Sequence, residues 1–230
     1  MVNPSVPATR PGTRCGARLR DQRGFTVMEL LISAAITIVT LSVAIQVATQ
    51  VERGYTAQLD AAAVEEEARF ALDWIGRTLR SAGSNPYAIV VSSCPAAGTM
   101  FLPLRFDPNL NGINDDVRIN ADVNEPNGLL GGDAGACAES SEDVTIAHDP
   151  VANTITMRDN NTDAAPVVMT AGTISALQFT YLDTNRVVTA DPAAVAYVQV
   201  AVTAQGTAMN AQGGSFDTTM LTTEVRLWSR

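Results

Sequence analysis

Asp107-Pro108-Asn109-Leu110-Asn111-Gly112 sets side-chain oxygens at alternate positions and a glycine at the sixth. That is the first half of a calcium loop: oxygens at positions 1, 3 and 5 converge on a hard cation, and the glycine permits the sharp turn. The second half departs. Position 12, where a bidentate carboxylate closes the shell, is Arg118, and carboxylates stand instead at Asp115 and Asp116. Asp107, Asn109, Asn111, Asp115 and Asp116 are therefore candidate ligands of a nonstandard Ca2+ site, with Asp122 and Glu125 as further oxygen donors. The same residues also fit a loop whose Asx side chains bond their own backbone.

Cys94 and Cys137, 43 positions apart, are the second pair that could do chemistry. In an exported segment they are a natural disulfide, which would stabilise by roughly 3–4 kcal/mol in the chain-entropy model. In a reducing compartment they are two small hydrophobes. Metal ligation by two distant cysteines, with His148 as the single histidine, lacks a usual ligand set. His148 stands at a strand end without a nucleophile motif nearby, which favours a packing or solvent role. No GxSxG, Walker loop, HExxH or CxxC is present, so the chain is expected not to be an enzyme.

Glu29 is the third feature. It is the one charged residue between Phe25 and Val51, in a run reading FTVMELLISAAITIVTLSVAIQVATQV. About 22 helical residues cross the hydrocarbon layer. The hydroxyls of Ser33, Thr37, Thr40 and Ser42 are tolerable there because they can bond back to helix carbonyls. A carboxylate at mid-bilayer costs roughly 2.5–3.5 kcal/mol, and less near an interface. From spacing alone Glu29 either snorkels to the headgroups or marks a pairing site. Arg10, Arg14, Arg18, Arg20 and Arg23 precede the run, and cations there hold that end in the cytoplasm. A cleaved secretory signal would have a shorter apolar core with its small residue after it, whereas Gly24 stands before.

The helical pattern continues over 52–82. Val64, Ala68, Ala71, Ile75 and Leu79 recur at spacings of three or four and form one apolar face, with Phe70 and Trp74 beside it. Glu65, Glu66 and Glu67 read as the solvated side, Gly54 as the bend, and Gly83, Asn85 and Pro86 as the stop. Beyond Tyr87 the period changes to two. Residues 88–92 and 99–106 read as strands. Val144 and Ile146, then Ile155 and Met157, read as a hairpin about Asp149-Pro150 and Asn153. Leu177, Phe179 and Tyr181, then Ala196, Val198, Val200 and Val202, then Val225 and Leu227, are half-buried antiparallel strands. Residues 107–140, dominated by Asp, Asn and Gly, read as loop.

Composition limits the partners. Apolar residues make up 46% of the 230, which excludes a wholly disordered chain. Net charge is −9. Residues 1–24 hold five Arg and one Asp, +4, leaving −13 for the remainder, so no nucleic-acid partner is expected.

Gly24-Phe25-Thr26-Val27-Met28-Glu29-Leu30-Leu31-Ile32, behind its arginines, resembles the class III signal of type IV prepilins: a basic leader, Gly, Phe-Thr-x-x-Glu, then an apolar helix. Ala68-Arg69-Phe70-Ala71-Leu72-Asp73-Trp74-Ile75 through Leu79-Arg80-Ser81-Ala82-Gly83 resembles the PilW group of minor pilins. The Asp/Asn/Gly loop and Glu224-Val225-Arg226-Leu227 do so more loosely. The resemblance is strong over 18–83 and weak over the head. It implies that prepilin peptidase cuts between Gly24 and Phe25 and methylates Phe25. It implies that the Glu29 carboxylate pairs with the N-terminal amine of a neighbouring subunit.

The fold so implied is pilin-like α+β, with a long N-terminal helix, membrane half plus amphipathic half, packed on an antiparallel β-sheet head. The expected layout is a cytoplasmic leader over 1–24, a transmembrane and assembly helix over 25–51, an amphipathic helix over 52–83 and a periplasmic head over 84–230. The implied partners are other pilins and minor pilins, prepilin peptidase and the inner-membrane assembly platform. The chain would sit in the inner membrane and then join a pilus fibre, in a priming or tip subcomplex. A J-type pseudopilin of type II secretion stays open, as does an adhesin-like or calcium-dependent binding module on a pilin anchor.

Overall fold

The computed structural model describes residues 24–92, 94, 99–123, 127–131, 137–209 and 216–227. The basic leader up to Arg23, with Cys15, and Glu125 lie outside them. The architecture is α+β. One helix, α1 (Val27–Ser81), precedes ten strands: β1 (Val91–Ser92), β2 (Thr99–Met100), β3 (Leu104–Phe106), β4 (Asp116–Asn120), β5 (Asp143–Asp149), β6 (Thr154–Asp159), β7 (Val167–Val168), β8 (Ile174–Leu182), β9 (Tyr197–Met209) and β10 (Phe216–Arg226). The chain divides into two compact units, Met1–Ala48 and Thr49–Arg230.

The first unit is the start of α1. Val27 to Ala48 is helical and exposed all round, with Leu, Ile and Val on every side. Such a helix has no core of its own to bury its surface. It is long and apolar enough to cross a membrane. Its hydroxyls are satisfied locally: Thr37 donates to Ser33 O at 2.7 Å, Thr40 to Ile36 O at 3.0 Å and Ser42 to Ile38 O at 2.7 Å. These three hydroxyls therefore do not oppose an apolar surrounding.

The second unit begins with the rest of α1, which is unbroken at Gly54. Val64, Ala68, Ala71, Ile75 and Leu79 are buried, as their spacing predicts, and Leu72 joins them. They share one cluster with Phe179, Val198, Val200 and Val202 of the strands. Each such large side chain contributes about 1.5–3 kcal/mol when fully buried. Gly76 faces β10, where a methyl would meet Val225 Cγ2 at 3.6 Å, an ordinary contact. Glu67 is not merely solvated, because it accepts from the Thr173 hydroxyl at 2.6 Å and from the Ala171 amide. Gly83, at φ +76°, ends the helix, and its N–H donates to Asn120 O at 2.9 Å.

The strands form three antiparallel sheets: β1-β2, β10-β9-β8 and β3-β4-β5-β6-β7. The expected hairpin is present, with His148 opposite Ile155 and Asn153 at φ +54° in its turn. Two expectations fail. Residues 99–106 are not one strand, because Pro103, which has no N–H to donate, separates β2 from β3 and the two pair with different partners. Residues 107–140 are not loop throughout, because β4 lies between β3 and β5. Its Val117 and Ile119 face the core while Asp116, Arg118 and Asn120 lie on the other face, where loops bury Asp116 and Asn120 and leave Arg118 half-buried. The larger sheets share that core, with Phe106 stacked on Tyr181 at a centroid separation of 3.7 Å.

Candidate functional site

Ahead of α1, Gly24 lies outside any regular element and is open; no atom lies within 4 Å of where a Cβ would sit. Phe25 is exposed beside it. Thr26 caps the helix: its Oγ1 accepts the Glu29 amide at 3.3 Å, and its carbonyl accepts the amides of Glu29 at 3.0 Å and Leu30 at 3.1 Å. Threonine followed three residues later by glutamate is a capping-box spacing, a signal legible in the sequence that the prepilin reading passed over. A carboxylate in the first turn also complements the helix dipole. Glu29 is exposed and forms no side-chain hydrogen bond or ion pair among the described residues; its carbonyl accepts the Ser33 hydroxyl. It borders a shallow depression with Thr26, Met28, Ile32, Ser33 and Ile36.

The Asp107–Asp116 stretch is tightly turned. Asp107 and Leu110 adopt positive φ, and Gly112 sits at φ +80°. The Asp107 carboxylate accepts the amides of Asn111 at 2.9 Å and Gly112 at 2.8 Å. Asn109 Oδ1 accepts the Asn111 amide at 2.9 Å, and Asn111 Oδ1 the Ile113 amide at 2.7 Å. The side chains thus serve their own backbone, as in Asx turns. Asp115 and Asp116 are both buried. Asp116 Oδ2 accepts the Asn109 amide at 3.1 Å, while its Oδ1 is buried without a partner. Burial pushes the Asp116 carboxyl up to about 6, and the neighbouring Asp115 and Asp107 charges add to the rise. Among the described residues no three His, Cys, Asp or Glu side chains gather to hold a metal. Asp122 points elsewhere, to the amides of Asn127 at 3.3 Å and Gly128 at 3.1 Å.

Cys94 and Cys137 form a disulfide, with Cα atoms 5.5 Å apart. Gly131 at φ +82° lies against it; a Cβ there would come within 2.6 Å of Cys94 Cβ, so only glycine fits. The fully buried Glu142 holds the same region through the amides of Gly131 at 2.6 Å and Val123 at 3.2 Å. Sequence reasoning missed Glu142, because nothing local marks a carboxylate whose amide partners lie 11 and 19 positions away. His148 is structural: its Nε2 lies 2.9 Å from Ile174 O.

In the head, Asp107, Asp116, Asp122 and Glu142 bond backbone amides and Asp143 and Glu224 bond arginines, whereas Glu29 has no side-chain partner among the described residues. No family model, curated protein or solved structure matches this chain.

Proposed function

We propose that the chain is a minor pilin, a structural and assembly subunit of a type IV pilus, cut between Gly24 and Phe25 and assembled through α1. The observation that carries this reading is the open Gly24-Phe25-Thr26-x-x-Glu29 segment heading an apolar helix exposed on all sides, on a chain whose other end is a disulfide-bonded β head. An all-round apolar helix needs lipid first and other helices later. In this reading the helix anchors the chain in the inner membrane with the head in the periplasm, prepilin peptidase cuts it, and the assembly platform passes it to other pilins. Packed helices then bury Glu29. An unpaired buried charge costs several kcal/mol, so the carboxylate needs the amine that cleavage creates on a neighbour.

The test is Glu29→Ala in the producing cell. Cleavage, read as the mature mass, should persist, and the variant should be lost from sheared filaments. Normal recovery in filaments would refute the assembly role. A J-type pseudopilin shares the segment and the processing; crosslinking to secretion components instead of pilus components would select it.

A further inference from the structure

The outward face of the five-stranded sheet carries a polar cleft that the assembly reading does not use. Register sets Arg105 opposite Arg118, Arg118 opposite Thr145, and Thr145 opposite Arg158. Residues directly opposed across strands share a face, so three arginines and a threonine form one row. The alternate positions, Val117, Ile119, Val144, Ile146 and Ile155, point into the core. Three of the six arginines after residue 84 are in this row, on a strongly acidic chain. Like charges directly opposed destabilise a sheet. Asp143 relieves part of the repulsion: its carboxylate binds Arg118 through Nε at 2.6 Å and through a second guanidinium nitrogen. Arg158 is exposed and enters no ion pair among the described residues, and Arg105 Nε is buried without a partner.

Between Arg118 and Arg158 the side chains are short. Thr145, Ala147 and Thr156 floor a cavity of about 280 Å³, with Pro108, Asn109 and Pro166 on its rim. Asp143 fixes the Arg118 guanidinium and uses two of its five N–H groups, which leaves three on a residue that lines the cavity. Arg158 supplies a second fork, and paired guanidinium forks match a carboxylate. The adjacent row starts at Asp116, which also lines the cavity, so negative charge is welcome at one end only. Thr145 Oγ1 accepts from Asn160 Nδ2 at 2.8 Å and Thr156 Oγ1 donates to Ala147 O at 3.2 Å, which leaves Thr145 a donor and Thr156 an acceptor for neutral hydroxyls, and the two prolines and Ala147 suit a C–H face.

We propose that this cleft binds an acidic sugar of the uronate type, with its carboxylate on Arg118 and Arg158 and its hydroxylated ring over the floor. The inference stands whether or not the chain enters a filament. The full-length chain in nonionic detergent would be titrated calorimetrically with galacturonate and with glucuronate. Saturable binding of at least one is expected, with glucose and inorganic phosphate each at least tenfold weaker. Arg158→Gln, at an exposed position, should weaken binding about tenfold without moving the melting curve, and Arg158→Lys, which keeps the charge and loses the fork, should fall between. Equal binding of glucose would show the arginines idle and overturn the proposal. Equal binding of phosphate would show an unselective anion site and overturn the sugar. Absence of saturable heat with both uronates would overturn it as well.

Discussion

Reducing the Cys94–Cys137 bond is a perturbation whose size follows from the chain itself. The bond closes a loop of 43 residues. In the chain-entropy model that restraint on the unfolded state is worth about 4 kcal/mol at 25 °C. For a folded unit of this size, each kcal/mol moves Tm by about 2–4 °C, so reduction should lower Tm by about 8–16 °C. Cys94 is buried against Gly131, so Cys94→Ala with Cys137→Ala should cost somewhat more, because it also removes packed sulfur. The assay is a circular dichroism melt of the full chain in detergent, with and without a phosphine reductant, the free thiols confirmed by alkylation and mass. A shift under about 3 °C with both thiols free would refute the entropic account. The same alkylation, applied to whole cells, tests export. Disulfides persist on the oxidising side of a membrane. Cys94 and Cys137 should resist the reagent while Cys15, in the uncut leader, reacts. Labelling of all three would put the head on the reducing side and sink the pilin reading.

Ile75 is fully buried where α1 meets the strands, and Ile75→Ala should cost about 2–5 kcal/mol, whereas Phe70→Ala, half exposed, should cost far less; equal losses in urea unfolding would contradict the assigned face. Asp116 has a folded pKa raised from 3.8 to about 6, so the folded state holds its proton over a range where the unfolded chain has lost it. Its contribution to stability is therefore present below about pH 4 and lost as pH rises through about 6. Asp116→Asn should flatten that part of the Tm–pH curve, and a variant curve parallel to wild type across the window would remove the effect. Replacing Gly24 with a larger residue, as in Gly24→Leu, should block processing, and an unchanged mature mass would show that no small residue is needed there.

The helix face and the strands were legible because both are governed by local periodicity. Val64 through Leu79 recur at the helical period, and Val198, Val200 and Val202 alternate because one face of β9 is core. β4 was not legible. Asp116-Val117-Arg118-Ile119-Asn120 offers two apolar residues in a stretch of turn formers, and its strand character comes from β3 and β5 on either side. The arginine row was hidden for the same reason, since register brings together residues 13 and 40 positions apart. Glu67 looked solvated because its partner Thr173 is 106 positions away.

Glu29 is where the sequence gives two sound readings, and magnitudes separate them. As a carboxylate in the first turn it contributes about 0.3–1 kcal/mol to starting α1 through the helix dipole. That suffices while the first turn lies at an aqueous or headgroup interface. It does not suffice once helices pack over the residue, where an unpaired carboxylate costs several kcal/mol. With residues 1–24 removed, as proposed, the next basic residue along α1 is Arg53, 24 positions on. Apart from the new amine of Phe25, four positions before Glu29, no cation on the processed helix is then near enough to serve. The dipole contribution is complete within one chain, but a buried Glu29 requires a positive group at contact distance. The amine of Phe25, which a cut after Gly24 frees on every copy, is the group that processing would supply, and packing of several copies would bring a neighbour's amine within reach as well.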